Sequence, residues 1–245
     1  MPSDQKDVQA IISSLVKPAF KITPIHDKNS KLPNCESKFG GLPYAESGDH
    51  WPTCTSCSQA LTFICQIKKP DSAELAALYY CVPCSPWGQG KEERGEWDLK
   101  IYHSPSMDKL VTLNAPNSDK FALTPCRVET SSVKALPDWE GLCSISSEVV
   151  NICTEINEDE PWEAYDEIVQ QAGALNDYAT LLGGYPRFVQ GEICPHCSKC
   201  NEEMSFFAQI DSEEKANLMW GDAGSVYLFQ CPAHKDEFWL EMQCY

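Results

Sequence analysis

One pattern is written twice in this chain at a fixed distance, and any fold for it must accommodate that pattern in both places. Gly40-Gly41-Leu42-Pro43 leads to Cys54-Thr55-Ser56-Cys57 and then to Leu61-Thr62-Phe63-Ile64-Cys65-Gln66-Ile67. Gly183-Gly184-Tyr185-Pro186 leads likewise to Cys197-Ser198-Lys199-Cys200 and then to Met204-Ser205-Phe206-Phe207-Ala208-Gln209-Ile210. The register is gapless, since 183 − 40, 197 − 54 and 209 − 66 all equal 143. Each copy closes on a second pair, Cys81-Val82-Pro83-Cys84 in the first and Cys231-Pro232-Ala233-His234 in the second. That pair is offset by 150 (231 − 81), so the second copy carries 7 more residues (150 − 143) between its pairs.

Two residues between cysteines let a tight turn aim both thiolates at one ion, and a distant pair completes a tetrahedral set. A single C-x-x-C also suits a redox pair or an apolar core; two parallel copies point to metal. The spacing predicts two structural zinc ions, one held by Cys54, Cys57, Cys81 and Cys84, the other by Cys197, Cys200, Cys231 and His234. Copper or an iron–sulfur cluster is the alternative, but a histidine ligand and well-separated pairs favour zinc. Trp51-Pro52 precedes the first C-x-x-C, and Cys194-Pro195 holds the equivalent place in the second. Cys194 is thus an extra thiol beside a site, either a spare ligand or a bystander. The other unassigned cysteines, Cys35, Cys65, Cys126, Cys143, Cys153 and Cys244, show no pairing, and a disulfide scaffold belongs to shorter secreted chains.

A chain of 245 residues with 42% hydrophobic residues can bury a sizeable core, as one large domain or two modest ones. No apolar run approaches membrane-spanning length, and the N-terminus lacks a basic segment followed by an apolar one, so a cytoplasmic protein without membrane contact is expected. The formal charge is −17. Four thiolates with a dication add −2, and three thiolates with an imidazole and a dication add −1, taking −17 to −20. Such a field repels phosphate backbones, which disfavours nucleic acid, and attracts basic protein partners.

The expected fold class is α+β, with two pseudo-repeats, each a small antiparallel sheet pinned by a zinc site, plus a few helices. Residues 1–37 form an N-terminal helix, capped by Asp4, and an extended or looped lead in which Pro18, Pro24 and Pro33 fall. Residues 38–103 form the first repeat and 161–245 the second, the two packing as one globule about an approximate twofold. Residues 104–160 carry little periodicity and read as an irregular linker or insertion. Residues 85–96 read as a solvated loop. Leu61, Phe63, Cys65 and Ile67 alternate as a strand, which makes Cys65 a core residue, and Leu78-Tyr79-Tyr80 and Val226-Tyr227-Leu228-Phe229 run as strands into the second ligand pairs. Pro161 opens a helix with Trp162, Tyr165, Ile168, Val169 and Ala172 on one face. Gly221-Asp222-Ala223-Gly224 reads most simply as a turn between Trp220 and the next strand, with a ligand-binding role the lesser option.

Leu182-Gly183-Gly184-Tyr185-Pro186, Ala208-Gln209-Ile210 and Met219-Trp220-Gly221-Asp222-Ala223-Gly224 followed by Tyr227-Leu228-Phe229 resemble the YwqG-like family of bacterial proteins of unassigned function. The first copy, from Phe39-Gly40-Gly41-Leu42-Pro43 through Trp51-Pro52, Cys54, Cys57, Gln66, Cys81 and Cys84, is similar to the programmed cell death protein 2 family, which is associated with escorting a new ribosomal protein. The resemblance implies an interaction or chaperone role, and neither family brings catalytic residues; it does not extend over residues 104–160.

No catalytic residue is assigned. His26, His50, His103 and His196 are each solitary in sequence, and both ligand sets already count four protein donors, the closed arrangement of a structural site. The expected function is a zinc-stabilised interaction module, a chaperone or escort for a basic client. The alternatives are a hydrolase or transferase with a cleft site between the repeats, or a toxin-neutralising protein.

Overall fold

A computed structural model of the chain describes residues 2–25, 32–70, 72–84, 95–115 and 121–245. Among them are ten strands and four α-helices, an α+β composition. His26, and residues 85–94 of the expected loop, lie outside the described residues. The chain divides into two units, one made of Met1–Ile22, Thr130–Asp211 and Trp220–Tyr245, the other of Thr23–Glu129 and Ser212–Met219.

The first helix, α1 (Pro2–Leu15), opens on a proline, whose missing amide costs nothing at the first helical position. Asp4 therefore lies inside the helix and is not its cap. β1 follows (Lys17–Ile25), with Ala19 and Ile22 buried, where extended or looped chain was expected. Its prolines, Pro18 and Pro24, flank the stretch 19–22 that pairs with residues 180–183, so neither removes a donor from that ladder.

The unit that holds the first cysteine set contains β2 (Lys38–Phe39), β3 (Thr62–Lys68), β4 (Glu74–Tyr80) and β5 (Trp97–His103). The start of β6 (Cys126–Ala135) joins them in the order β6-β2-β3-β4-β5, all antiparallel. β3 does not alternate as expected: Thr62 to Ile67 are all buried, so both faces are covered. Cys65 is fully buried, and burial pushes its thiol far above the ordinary range, which fits a core residue.

The other unit contains α1, α2 (Trp139–Ile145), α3 (Ser147–Ile156) and α4 (Pro161–Gln171). Its strands are β7 (Thr180–Gly183), β8 (Ser205–Asp211), β9 (Ser225–Gln230) and β10 (Phe238–Gln243), in the order β10-β9-β8-β7-β1. Ile12, Leu142, Val149, Cys153, Tyr165 and Val169 pack the helices together. On α4, Tyr165 and Val169 face this core as expected, but Trp162 is 45% exposed. The stretch 104–160 is not uniformly irregular, since β6, α2 and α3 lie in it. Their signals are weak in sequence because β6 exposes most of its residues and the helices are short, marked chiefly by caps: Asp138 Oδ1 accepts from Gly141 N, and Ser146 Oγ from Val149 N.

Pairing in the two units falls on corresponding residues. β3 pairs with β4 through Phe63↔Tyr79 and Cys65↔Leu78 with a bulge between Phe63 and Cys65; β8 pairs with β9 through Phe206↔Phe229 and Ala208↔Leu228 with a bulge between Phe206 and Ala208. The buried Gln66 accepts from Tyr44 N at 2.8 Å, and Gln209 accepts from Arg187 N at 2.9 Å. Both glutamines thus hold the chain that leaves a double glycine. Gly184 shows why glycine is needed there: φ is +79°, and a Cβ would lie 2.7 Å from the Ala135 Cβ.

Candidate metal centres

Each C-x-x-C sits at the tip of a small hairpin. Cys54 N donates to the Gln59 carbonyl at 2.7 Å and Ser58 N to the Cys54 carbonyl at 2.9 Å; Cys197 N donates to the Glu202 carbonyl at 2.9 Å and Asn201 N to the Cys197 carbonyl at 2.7 Å. Ser58 and Asn201 close these turns in the left-handed region, at φ of 60° and 58°. The second pairs arrive directly from β4 and β9, whose last residues are Tyr80 and Gln230. A tight turn and a strand end therefore deliver two donors each to one point.

The structure brings the eight expected side chains into two groups, Cys54, Cys57, Cys81, Cys84 and Cys197, Cys200, Cys231, His234, with the donor atoms of each group within 4.8 Å of one another. In each group the first and third members are buried and the others half-exposed. Cys57 and Cys81 sulfurs stand 3.6 Å apart, as do those of Cys200 and Cys231. That is too long for a disulfide, whose S–S bond is about 2.05 Å, and all 14 cysteines are free. It is close to the edge of a tetrahedron with metal–sulfur bonds of about 2.3 Å, which is about 3.8 Å. His234 turns Nδ1 inward, 3.7 Å from the Cys197 sulfur and 3.6 Å from that of Cys231. The donor chemistry and geometry fit a borderline or soft ion in tetrahedral coordination.

The clustered thiols also perturb one another's ionisation. A hydrogen bond with the Gln59 backbone holds the Cys57 thiol below its ordinary value, whereas Cys84 is pushed up to about 11, chiefly by its bond to Cys57. Cys200 is raised to about 11 although the Glu202 backbone pulls it down, because burial and the neighbouring Cys231 and Cys197 outweigh that pull. Four sulfurs this close cannot all ionise without a cation among them. The backbone amide of His234 donates to the Cys231 sulfur at 3.2 Å, a bond that suits a thiolate.

Cys194 is exposed and is not part of the second group. His50 and His103 also lie apart from both groups; His103 Nδ1 is 3.2 Å from the Glu74 carboxylate, and His196 Nδ1 is 3.2 Å from the Cys194 carbonyl.

Beside the second group lies a cavity of about 650 Å³, not anticipated from the sequence, lined by Asp138, Tyr185, Phe188, Cys194, Met204 and Phe206 among others. Asp138 is buried, and burial raises its carboxyl to about 6 although the Phe188 and Gly141 amides it accepts pull it down. Its place was marked in sequence only by the capping chemistry of an aspartate ahead of a short helix.

An α+β protein with two cysteine-rich, metal-type clusters is thus defined by its geometry. The chain matches the family described as "Domain of unknown function (DUF1963)" over residues 37–233, most of its length, and belongs to that family. No curated protein matches it. No helix among the described residues is long and apolar enough to cross a membrane.

Proposed function

We propose that the chain is a zinc-stabilised protein-interaction module, built of two pseudo-repeats, that escorts a basic client polypeptide. The observation that carries this reading is the closure of both ligand sets. Each counts four protein donors, which leaves no coordination position for water or substrate and makes the ion a structural staple. Zinc is favoured because one set includes an imidazole and both draw on separated pairs. The corresponding strand registers and bulges support the pseudo-repeat reading. The charge of −17 supports a basic client, and the likeness of the first copy to the programmed cell death protein 2 family supports an escort role.

Metal analysis of the purified chain is expected to return close to two zinc ions, and Cys57→Ser and Cys200→Ser are each expected to lower the ratio by about one. A ratio of zero after metal-sparing purification, with every thiol freely titratable, rejects the metal centres. Affinity purification from the native host, followed by mass spectrometry, tests the client. Basic proteins are expected, with yields falling as salt shortens the screening length to about 8 Å and below. Recovery of acidic or neutral partners alone, insensitive to salt, rejects a basic client.

A further inference from the structure

Among the differences between the two copies is the residue before the proline that leads into each C-x-x-C hairpin. In the first copy Trp51 precedes Pro52. Its ring packs edge-on against Tyr79 with centroids 5.9 Å apart, and its Nε1–H donates to the Leu61 carbonyl at 2.7 Å. It thereby covers the cluster that holds Leu61, Phe63 and Tyr79. In the second copy the corresponding residue is Cys194 (194 − 51 = 143), and the counterparts of Leu61, Phe63 and Tyr79 are Met204, Phe206 and Phe229. Cys194, Met204, Phe206 and Phe229 all line the cavity of about 650 Å³. A thiol does not reach where an indole reaches; Ile193 and Phe206 pack against the cluster here, and the cavity opens beside them over Met204 and Phe229.

The walls suit an aromatic guest. Met204, Phe229, Phe188 and Tyr185 are buried and present apolar surface, and a volume in the range of about 300–1,000 Å³ is that of a ligand pocket. The lining also carries exposed carboxylates, Glu192 and Glu203, and the Ser144 hydroxyl donates to Glu192 at 2.5 Å. The cation in the lining, Lys17, lies over the Tyr185 ring at 3.9 Å from its centroid. An occupant is thus asked for an aromatic body and positive charge beside it.

We propose that this cavity receives a tryptophan side chain of a partner polypeptide, seated edge-on to Phe229 with its indole N–H directed at the Met204 carbonyl. Basic residues flanking that tryptophan meet Glu192 and Glu203. The seat repeats what Trp51 does on Tyr79 and Leu61, and a buried aromatic anchor is the kind of group that dominates an interface. The proposal rests on the client-binding reading for the partner's charge and adds the anchor to it.

The test uses the 245-residue chain supplied with zinc and three probes: N-acetyl-tryptophanamide, a lysine- and arginine-rich peptide with one tryptophan, and the same peptide with alanine in its place. The tryptophan peptide is expected to bind at least about tenfold more tightly than the alanine peptide. It should shift amide resonances of Gly184, Ser205 and Phe206. Cys194→Trp, which supplies the indole from within, is expected to erase the preference; should that variant fail to fold by circular dichroism, the wild-type comparison decides alone. Equal binding of the two peptides overturns the anchor and leaves the basic client standing. Binding of N-acetyl-tryptophanamide with neither peptide bound overturns the polypeptide source and the basic client together, in favour of a small aromatic ligand. A preference that survives in folded Cys194→Trp places the anchor elsewhere and also overturns the proposal.

Discussion

On the proposed reading, stripping zinc from the two clusters is expected to unfold the chain and abolish capture of a basic client in one step. Each cluster joins a hairpin tip to a strand end that is distant in sequence, and two of its four ligands are buried in the apolar core, Cys54 and Cys81 in one unit, Cys197 and Cys231 in the other. Without a cation these buried thiols must either protonate or leave, and in both cases the two chain segments lose the bond that joins them. Zinc binding in small structural sites contributes about 10–16 kcal/mol, comparable with the whole stability of a typical domain at about 5–15 kcal/mol. The measurement is far-ultraviolet circular dichroism alongside client capture during titration with a strong chelator at neutral pH. Capture lost while the spectrum and the melting temperature stay unchanged would show that the ions do not hold the fold. The metal would then belong to chemistry, and the hydrolase or transferase reading would take precedence.

The two clusters that could hold a metal were legible in sequence because coordination is a local demand. A turn that aims two thiolates at one point needs a fixed spacing, and Cys54 with Cys57 and Cys197 with Cys200 carry that spacing wherever the rest of the chain goes. The strands that feed the second pairs were legible for a related reason: Leu78-Tyr79-Tyr80 and Val226 to Phe229 are apolar and bounded by the ligands themselves. Periodicity failed where a strand is covered on both faces or on neither. Thr62 and Gln66 read as solvent-facing, yet both are buried; Gln66 is satisfied by giving its amide hydrogens to the Asn34 and Glu36 carbonyls while accepting from Tyr44. The bulge between Phe63 and Cys65 breaks the two-residue period in a way that no pattern count reveals. β6 fails for the opposite reason, because most of its side chains are exposed and nothing in it alternates. The cavity was the least legible part. The replacement of Trp51 by Cys194 is visible at the offset of 143 (194 − 51), but whether a neighbour fills the space left is a fact of packing. Lys17, Asp138 and Ser144 reach its walls from distant parts of the chain. The net charge of −17, on which the proposed basic client rests, was legible because a long-range field needs no structure.

Gly224→Ala is expected to lower the melting temperature by about 6–12 °C, the shift for about 3 kcal/mol in a chain of this size. Gly221-Asp222-Ala223-Gly224 is a turn ahead of β9, closed by Gly224 N donating to the Trp220 carbonyl at 2.7 Å, and Tyr245 N donates to the Asp222 carbonyl at 3.2 Å. A Cβ on Gly224 would run into the Gln243 backbone oxygen and lie 2.6 Å from the Cys244 Cβ, so the clash is with chain that cannot turn aside as a long side chain can. Gln243 is itself a clamp: its Oε1 accepts from Val189 N at 3.0 Å and Gln190 N at 2.9 Å, and its Nε2 donates to the Gly191 carbonyl at 2.9 Å. Displacing it loosens the segment that runs into Cys194 and Cys197, so the variant is also expected to surrender the metal of the second site to a weaker chelator than wild type requires. Ala223→Gly is the internal control. Ala223 already holds a φ of 55°, a left-handed conformation that costs an L-residue about 1 kcal/mol; removing its Cβ is expected to leave the melting temperature unchanged or raise it. A fall in melting temperature at Gly224 with no fall at Ala223 identifies the turn as a packing device. If Gly224→Ala melts like wild type, the backbone at Gln243 yields without cost, the glycine is not there for packing, and a ligand-binding role for this turn becomes the better explanation.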